Sequence, residues 1–140
     1  MKALAVKFFI VILVFANCTP EQVEEAQGNI ILNAMTNGQW RVSNYMKGSA
    51  DITADFAIYK FQFHQNLKVD AILTSNNMIE KSGTWNADAI ARTISSNFTN
   101  ASATLNLLNG TWLITNTTFT TVEANQTVNG ELRILKLVKI

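Results

Sequence analysis

All three tryptophans of the chain stand in one frame: Gly38-Gln39-Trp40, Gly83-Thr84-Trp85 and Gly110-Thr111-Trp112. A Gly-x-Trp that follows a helical segment and opens an extended one can start the first strand of a small β-barrel and plug its end with an indole. Only the first frame has that context. From Trp40 onward the hydrophobic period becomes two. Trp40 and Val42 alternate with Arg41 and Ser43; Tyr59, Phe61 and Phe63 alternate with Lys60, Gln62 and His64; Leu67, Val69, Ala71 and Leu73 alternate with Lys68, Asp70 and Ile72. Such alternation marks half-buried antiparallel strands.

The pattern predicts a hairpin over Phe56 to Leu73 turning at Gln65-Asn66. A turn at Ser75-Asn76-Asn77 then leads into a strand from Met78 to Trp85. Further strands are expected at Ile90 to Phe98, Ala103 to Leu108, Trp112 to Phe119 and Glu131 to Ile140, with Asn109-Gly110 and Asn129-Gly130 as turns. In the last segment the charges fall every third residue, and a bulge near Leu135 would reconcile its two faces. About eight short strands at this spacing specify an all-β barrel or sandwich.

The N-terminus predicts export. Lys2 and Lys7 flank and interrupt an apolar stretch that runs through Phe8 to Ala16 and ends at Asn17-Cys18-Thr19-Pro20. It falls short of the ~20 apolar residues a spanning helix needs and has the order of a secretory signal. Cleavage after Ala16 is one outcome. The other follows from Phe15-Ala16-Asn17-Cys18, which resembles a lipobox and would make Cys18 an acylated first residue. The lone cysteine favours this second reading, because an exported chain has little use for a free thiol that nothing caps. The division expected is a signal peptide over 1–17, a tether and short helix over 18–36, and a barrel domain over 37–140.

Thr19 as N-cap, Pro20 at the first helical position, Gln22 three after the cap and the acids Glu21, Glu24 and Glu25 predict a helix start. Gly28 weakens its middle, so the packed part is expected at Ile30 to Thr36, with Asn37-Gly38 as the stop. Without the leader, nine basic groups face ten acidic ones. No basic field is available to hold nucleic acid. With no internal disulfide possible, stability must come from a hydrophobic core, which a domain of this size can build.

In order along the last hundred or so residues, several segments resemble small lipocalin-like lipoproteins of the bacterial envelope. They are Asn37-Gly38-Gln39-Trp40-Arg41-Val42, Tyr59-Lys60-Phe61-Gln62-Phe63-His64-Gln65-Asn66, Gly83-Thr84-Trp85-Asn86, Leu107-Leu108-Asn109-Gly110-Thr111-Trp112, and the closing Leu132-Arg133-Ile134-Leu135-Lys136-Leu137. Leu67 departs from the pattern, standing where such proteins usually carry Gly. The resemblance implies an antiparallel up-and-down barrel capped by a short helix, lying at the cell envelope and anchored through Cys18. It also suggests a cation–π pair of Trp40 with Arg133 from the last strand, worth ~1–2 kcal/mol if desolvated. Arg133 as a free surface charge is the alternative.

No catalytic constellation is visible. His64 is the sole histidine and alternates with the apolar face, so it is expected to be solvated. Zinc and copper lack their preferred ligands, calcium lacks an acidic loop, and no cofactor is implied. The expectation is a protein that is not an enzyme. Its expected inner face comprises Trp40, Val42, Tyr59, Phe61, Phe63, Leu67, Val69, Leu73, Trp85, Ile94, Leu105, Trp112, Ile114, Leu132 and Ile134. An eight-stranded barrel either fills with such side chains or holds one small ligand. If it holds one, an apolar or amphipathic molecule lined by Tyr59, Phe61, Phe63, Val69 and Trp85 is expected, with Trp40 and Trp112 structural. If not, it is a structural or interaction barrel. The six Asn-x-Ser/Thr sequons, at Asn17, Asn97, Asn100, Asn109, Asn116 and Asn125, read as a consequence of the chain's Asn and Thr bias.

Overall fold

A computed structural model describes residue 28 and residues 30–140. The signal segment, Cys18 and the predicted helix start lie outside the described residues. Residues 30–36 are helical and form α1. Nine strands follow: β1 (Gln39–Lys47), β2 (Ala50–Asp51), β3 (Tyr59–Phe63), β4 (Lys68–Leu73), β5 (Ile79–Asp88), β6 (Thr93–Asn97), β7 (Gly110–Thr117), β8 (Thr121–Val128) and β9 (Glu131–Lys139). A 3₁₀ turn, Thr53–Phe56, precedes β3, and a four-residue helix α2, Ala103–Asn106, precedes β7.

Strand β2 only extends the end of β1. The other eight pair antiparallel in sequence order, and β1 also pairs with β9, so the sheet closes on itself. Closure leaves no long edge open to pair with another chain. The fold is therefore the all-β up-and-down barrel of eight strands with a short helix before it.

Closure needs strands that bend, and three bulges supply the bends. Opposite β9, β1 advances two residues while its partner advances one, between Val42 and Asn44. Its inward side chains are accordingly Trp40 and Val42 before the bulge and Tyr45 after it. The other two bulges lie between β4 and β5 and between β7 and β8. The expected bulge near Leu135 is thus displaced onto the facing strand. β9 itself alternates without interruption, with Leu135 and Leu137 buried, and this turns Leu132 and Ile134 outward. Leu67 is also exposed, because it forms the last residue of the β3–β4 turn, at φ 63°.

Two further expectations change. The segment from Ala103 is not a strand: Ser102 Oγ caps it by accepting from the Leu105 N–H at 3.3 Å, and it makes one helical turn. Its buried residues, Leu105 and Leu108, are three apart, which is helical spacing. β8 has only Val122 and Ala124 buried, so its hydrophobic signal in sequence is weak.

The core is aromatic. Tyr45 stacks on Phe56 at 4.9 Å between centroids and meets Trp112 edge-on at 5.8 Å, while Phe63 meets Trp85 edge-on at 5.1 Å. The three Gly-x-Trp frames share one device. Each indole N–H donates to the carbonyl of a segment outside the strands: Trp40 to Met35 at the end of α1 (2.9 Å), Trp85 to His64 at the β3–β4 turn (3.0 Å), and Trp112 to Leu108 after α2 (3.0 Å). Each tryptophan fills the barrel and ties down one connection. The glycines serve two different ends. Gly38 and Gly110 have φ of 96° and 104°, whereas at Gly83 a Cβ would lie 2.5 Å from the Asn97 carbonyl oxygen and 2.8 Å from Phe98 Cδ1. The first and third frames need the conformational freedom of glycine; the second needs its lack of volume.

Candidate functional site at the helix end of the barrel

The five residues expected to line a ligand cavity, Tyr59, Phe61, Phe63, Val69 and Trp85, all point into the barrel and are buried. They pack against other side chains. A space of about 30 Å³ lies beside Phe61, Phe63 and Val69, bounded also by Phe98, Leu108 and Trp112, and a water alone takes about 10–15 Å³ by the same measure. Tyr59 sits at the end closed by α2, its hydroxyl 3.2 Å from Ser102 Oγ. Burial raises the pKa of its phenol and that of Tyr45, whose hydroxyl donates to the Leu107 carbonyl at 2.8 Å.

Open space lies instead at the opposite end, beneath α1. There a cleft of about 180 Å³ runs between Ile31, Ala34 and Met35 of the helix, Trp40 and Ile114 in the barrel mouth, and Phe119 on the β7–β8 turn. It continues past Ile30, Ile31 and Ile114 into a shallower space of about 230 Å³ that reaches Ala89 and Arg92 of the β5–β6 turn. The walls are almost wholly apolar. Thr117 and Thr118 on one side and Arg92 on the other supply polar groups. Among the described residues Arg92 forms no ion pair.

The floor is fixed by a cation that sequence reasoning placed wrongly. Lys139, not Arg133, lies over Trp40: its ammonium is 5.1 Å from the ring centroid and donates to the Ala34 carbonyl at 3.0 Å. The register explains why, since Trp40 pairs with Lys139 at one end of the barrel and Lys47 with Arg133 at the other. Arg133 lies 3.4 Å from Glu131 and beside the Tyr45 phenol. In sequence, Lys139 could have been found by laying the closing strand antiparallel to β1.

On the outer wall His64 is half-exposed but not free. Its Nε2 is 2.7 Å from Asp70 Oδ2, and Ser82 Oγ donates to Asp70 Oδ1 at 2.5 Å. Partial burial raises the Asp70 pKa, yet the bonds from Ser82 and His64 and the nearby Lys68 outweigh it, leaving the carboxyl below its ordinary value. The carboxylate lies between the serine and the imidazole, so the histidine is not aimed at the hydroxyl it would have to deprotonate in a catalytic triad. Among the described residues no three His, Cys, Asp or Glu side chains converge as a metal site, and no helix is long and apolar enough to cross a membrane.

These features define a closed eight-stranded up-and-down barrel whose interior is filled and whose open apolar space lies beneath its N-terminal helix. The barrel is similar to a solved DUF4847 family protein from Bacteroides vulgatus. The match has a TM-score of 0.53 and 16% identity over 77% of this chain and 96% of the other, a likeness of fold. No family model matches the sequence, and no curated protein matches it.

Proposed function

We propose that the protein is an exported lipocalin-like lipoprotein, anchored through Cys18, that binds a small apolar or amphipathic molecule in the cleft beneath α1. The cleft carries this reading. Its size exceeds that of an engineered apolar cavity of about 150 Å³ that takes benzene, so it suits a single ring or a short acyl chain. Thr117, Thr118 and Arg92 at its margins would hold a polar or anionic head. This departs from the interior site expected from the sequence, because the barrel has no room there.

The test is titration with an apolar fluorescent dye, displacement by short-chain carboxylic acids, and Ala34→Phe, which adds a ring to the cleft wall at a half-buried position of α1. Stoichiometric binding lost in the variant with an unchanged melting temperature supports the reading; binding unaffected by Ala34→Phe refutes the site. A second reading, an interaction barrel without a ligand, is favoured by the packed interior, and exclusion of the dye would select it. The anchor is tested separately, by whether the denatured mass of protein from its own host exceeds the polypeptide beginning at Cys18 by acyl groups.

A further inference from the structure

Asparagine followed by glycine occurs three times, at Asn37-Gly38, Asn109-Gly110 and Asn129-Gly130. Glycine has no side chain to shield its amide nitrogen, which can therefore attack the side-chain carbonyl of the asparagine before it. The glycine N–H gives up its proton, a bond forms from that nitrogen to the asparagine Cγ, and the bond from Cγ to the amide nitrogen breaks to release ammonia. Water then opens the cyclic imide at either carbonyl. The product is aspartate, or an isoaspartate whose main chain runs through Cβ. One water is consumed and one ammonia released, so each of the three sites has the same chemistry and the fold decides among them.

Asn109 is held hardest. Its Oδ1 accepts from the Phe98 N–H at 2.6 Å, and its Nδ2 donates to the Phe98 carbonyl at 3.0 Å and to Asn106 Oδ1 at 3.3 Å. The peptide that follows is clamped as well, because Gln126 Nε2 donates to the Asn109 and Thr111 carbonyls on either side of Gly110, at 3.2 and 3.3 Å. Asn37 is restrained through its main chain. Its N–H donates to the Asn33 carbonyl at 3.2 Å, the Gly38 carbonyl accepts from Gln62 Nε2 at 3.2 Å, and the Lys139 stem lies 3.3 Å from where a Gly38 Cβ would stand. Asn129 has none of these restraints. It is exposed in the two-residue β8–β9 turn, and a Cβ on Gly130 would meet nothing within 4 Å. Among the described residues neither the Asn129 side-chain amide nor the Gly130 N–H has a hydrogen-bond partner.

We propose that Asn129 is a site of spontaneous deamidation, and that isoaspartate formed there loosens the end of the barrel at which β8, β9 and β1 close. The turn holds φ of 51° at Asn129 and 80° at Gly130. A two-residue turn is defined by such backbone angles, so one added main-chain atom displaces the strands it joins. Directly beyond the turn, Val128 pairs with Glu131, the Leu132 carbonyl accepts from the Gly48 N–H at 2.8 Å, and Arg133 pairs with Lys47. These are the contacts that join the last strand to the first, and isomerisation at 129 disturbs them. Neither a ligand in the cleft nor an anchor at Cys18 is involved.

The test is incubation of the full-length protein at mildly alkaline pH, folded and in guanidinium chloride, with peptide mapping by mass and isoaspartyl methyltransferase labelling at intervals. In the folded protein the product should appear first at Asn129, then at Asn37 and last at Asn109. Three hydrogen bonds of ordinary net strength reduce the population of a freed Asn109 amide by about a hundredfold, which is the gap in rate expected between Asn109 and Asn129. In denaturant that gap should close. Product at Asn37 or Asn109 before Asn129, or no product at Asn129 in the folded protein, overturns the assignment of the site. The isoaspartyl form, separated by ion exchange, should unfold at a lower urea concentration than Asn129→Asp, which adds the charge without the extra main-chain atom. Equal unfolding midpoints for the two overturn the effect on barrel closure.

Discussion

Lys139 covers the indole of Trp40 from the last strand, and the same ammonium reaches the Ala34 carbonyl at 3.0 Å, near the C-terminal end of α1. One side chain thus joins the first strand, the last strand and the helix. A cation near the carbonyl end of a helix is favourably placed for its dipole as well. Lys139→Gln should cost about 1–2 kcal/mol by urea denaturation and alter the emission of Trp40, whereas Arg133→Gln should leave that emission unchanged. Equal spectral effects would contradict the assignment.

The three indole hydrogen bonds differ in redundancy. The Leu108 carbonyl accepts from Ser96 Oγ at 2.7 Å as well as from Trp112, while Met35 has Trp40 as its side-chain donor. Replacing tryptophan by phenylalanine removes similar apolar area at both sites. Trp40→Phe should therefore be more destabilising than Trp112→Phe by about 1–3 kcal/mol, the cost of an unpaired buried carbonyl. Chemical denaturation of the two variants measures the difference, and the reverse order would show that area outweighs the hydrogen bond.

Gly83→Ala drives a Cβ against the Asn97 carbonyl and the Phe98 ring, and backbone cannot yield as a flexible side chain can. A loss of about 1–3 kcal/mol is expected. Gly28→Ala, with nothing within 4 Å of the new methyl and helical backbone, should gain up to about 1 kcal/mol. Thermal melts of both variants check the pair.

Asp70 gives stability a defined acid limb. Its folded pKa is lowered despite partial burial, through Ser82, His64 and Lys68, so its contribution is present above the unfolded value of about 3.9. The contribution disappears as pH falls through the folded value. The stability difference between the native protein and Asp70→Asn should be constant around neutrality and shrink below about pH 4. Asp51 and Glu123, also lowered by Thr53 and by Lys136, titrate in the same direction, so the native chain keeps some acid sensitivity after the substitution. A difference that widens on acidification would contradict the sign.

Alternation made much of the barrel legible. Tyr59, Phe61 and Phe63 bury every second side chain as read, and Asn129-Gly130 turns with φ of 51° and 80° at consecutive residues, as a two-residue hairpin requires. The failures have local causes. Alternation near Leu105 imitated a strand because nothing within the segment reveals that Ser102 caps it. Leu132 and Ile134 were read as inward because a bulge assigned to β9 lies in β1, and a slip of one residue exchanges the two faces of a strand. The cleft was not legible at all. It depends on how α1 sits against turns 89–92 and 118–120, and residues such as Phe119 and Arg92 resemble any loop residue until the turns are brought together.

The central claim is that the barrel is filled and that the accessible apolar site lies beneath α1. Methyl-resolved NMR of the protein titrated with a short-chain carboxylic acid tests it most directly. The account predicts saturable shifts at Ile31, Ile114 and Val122, with Val69 and Leu108 unmoved and Phe61→Leu lowering stability without changing affinity. Shifts centred on Val69 and Leu108, or no saturable shift anywhere, would contradict it.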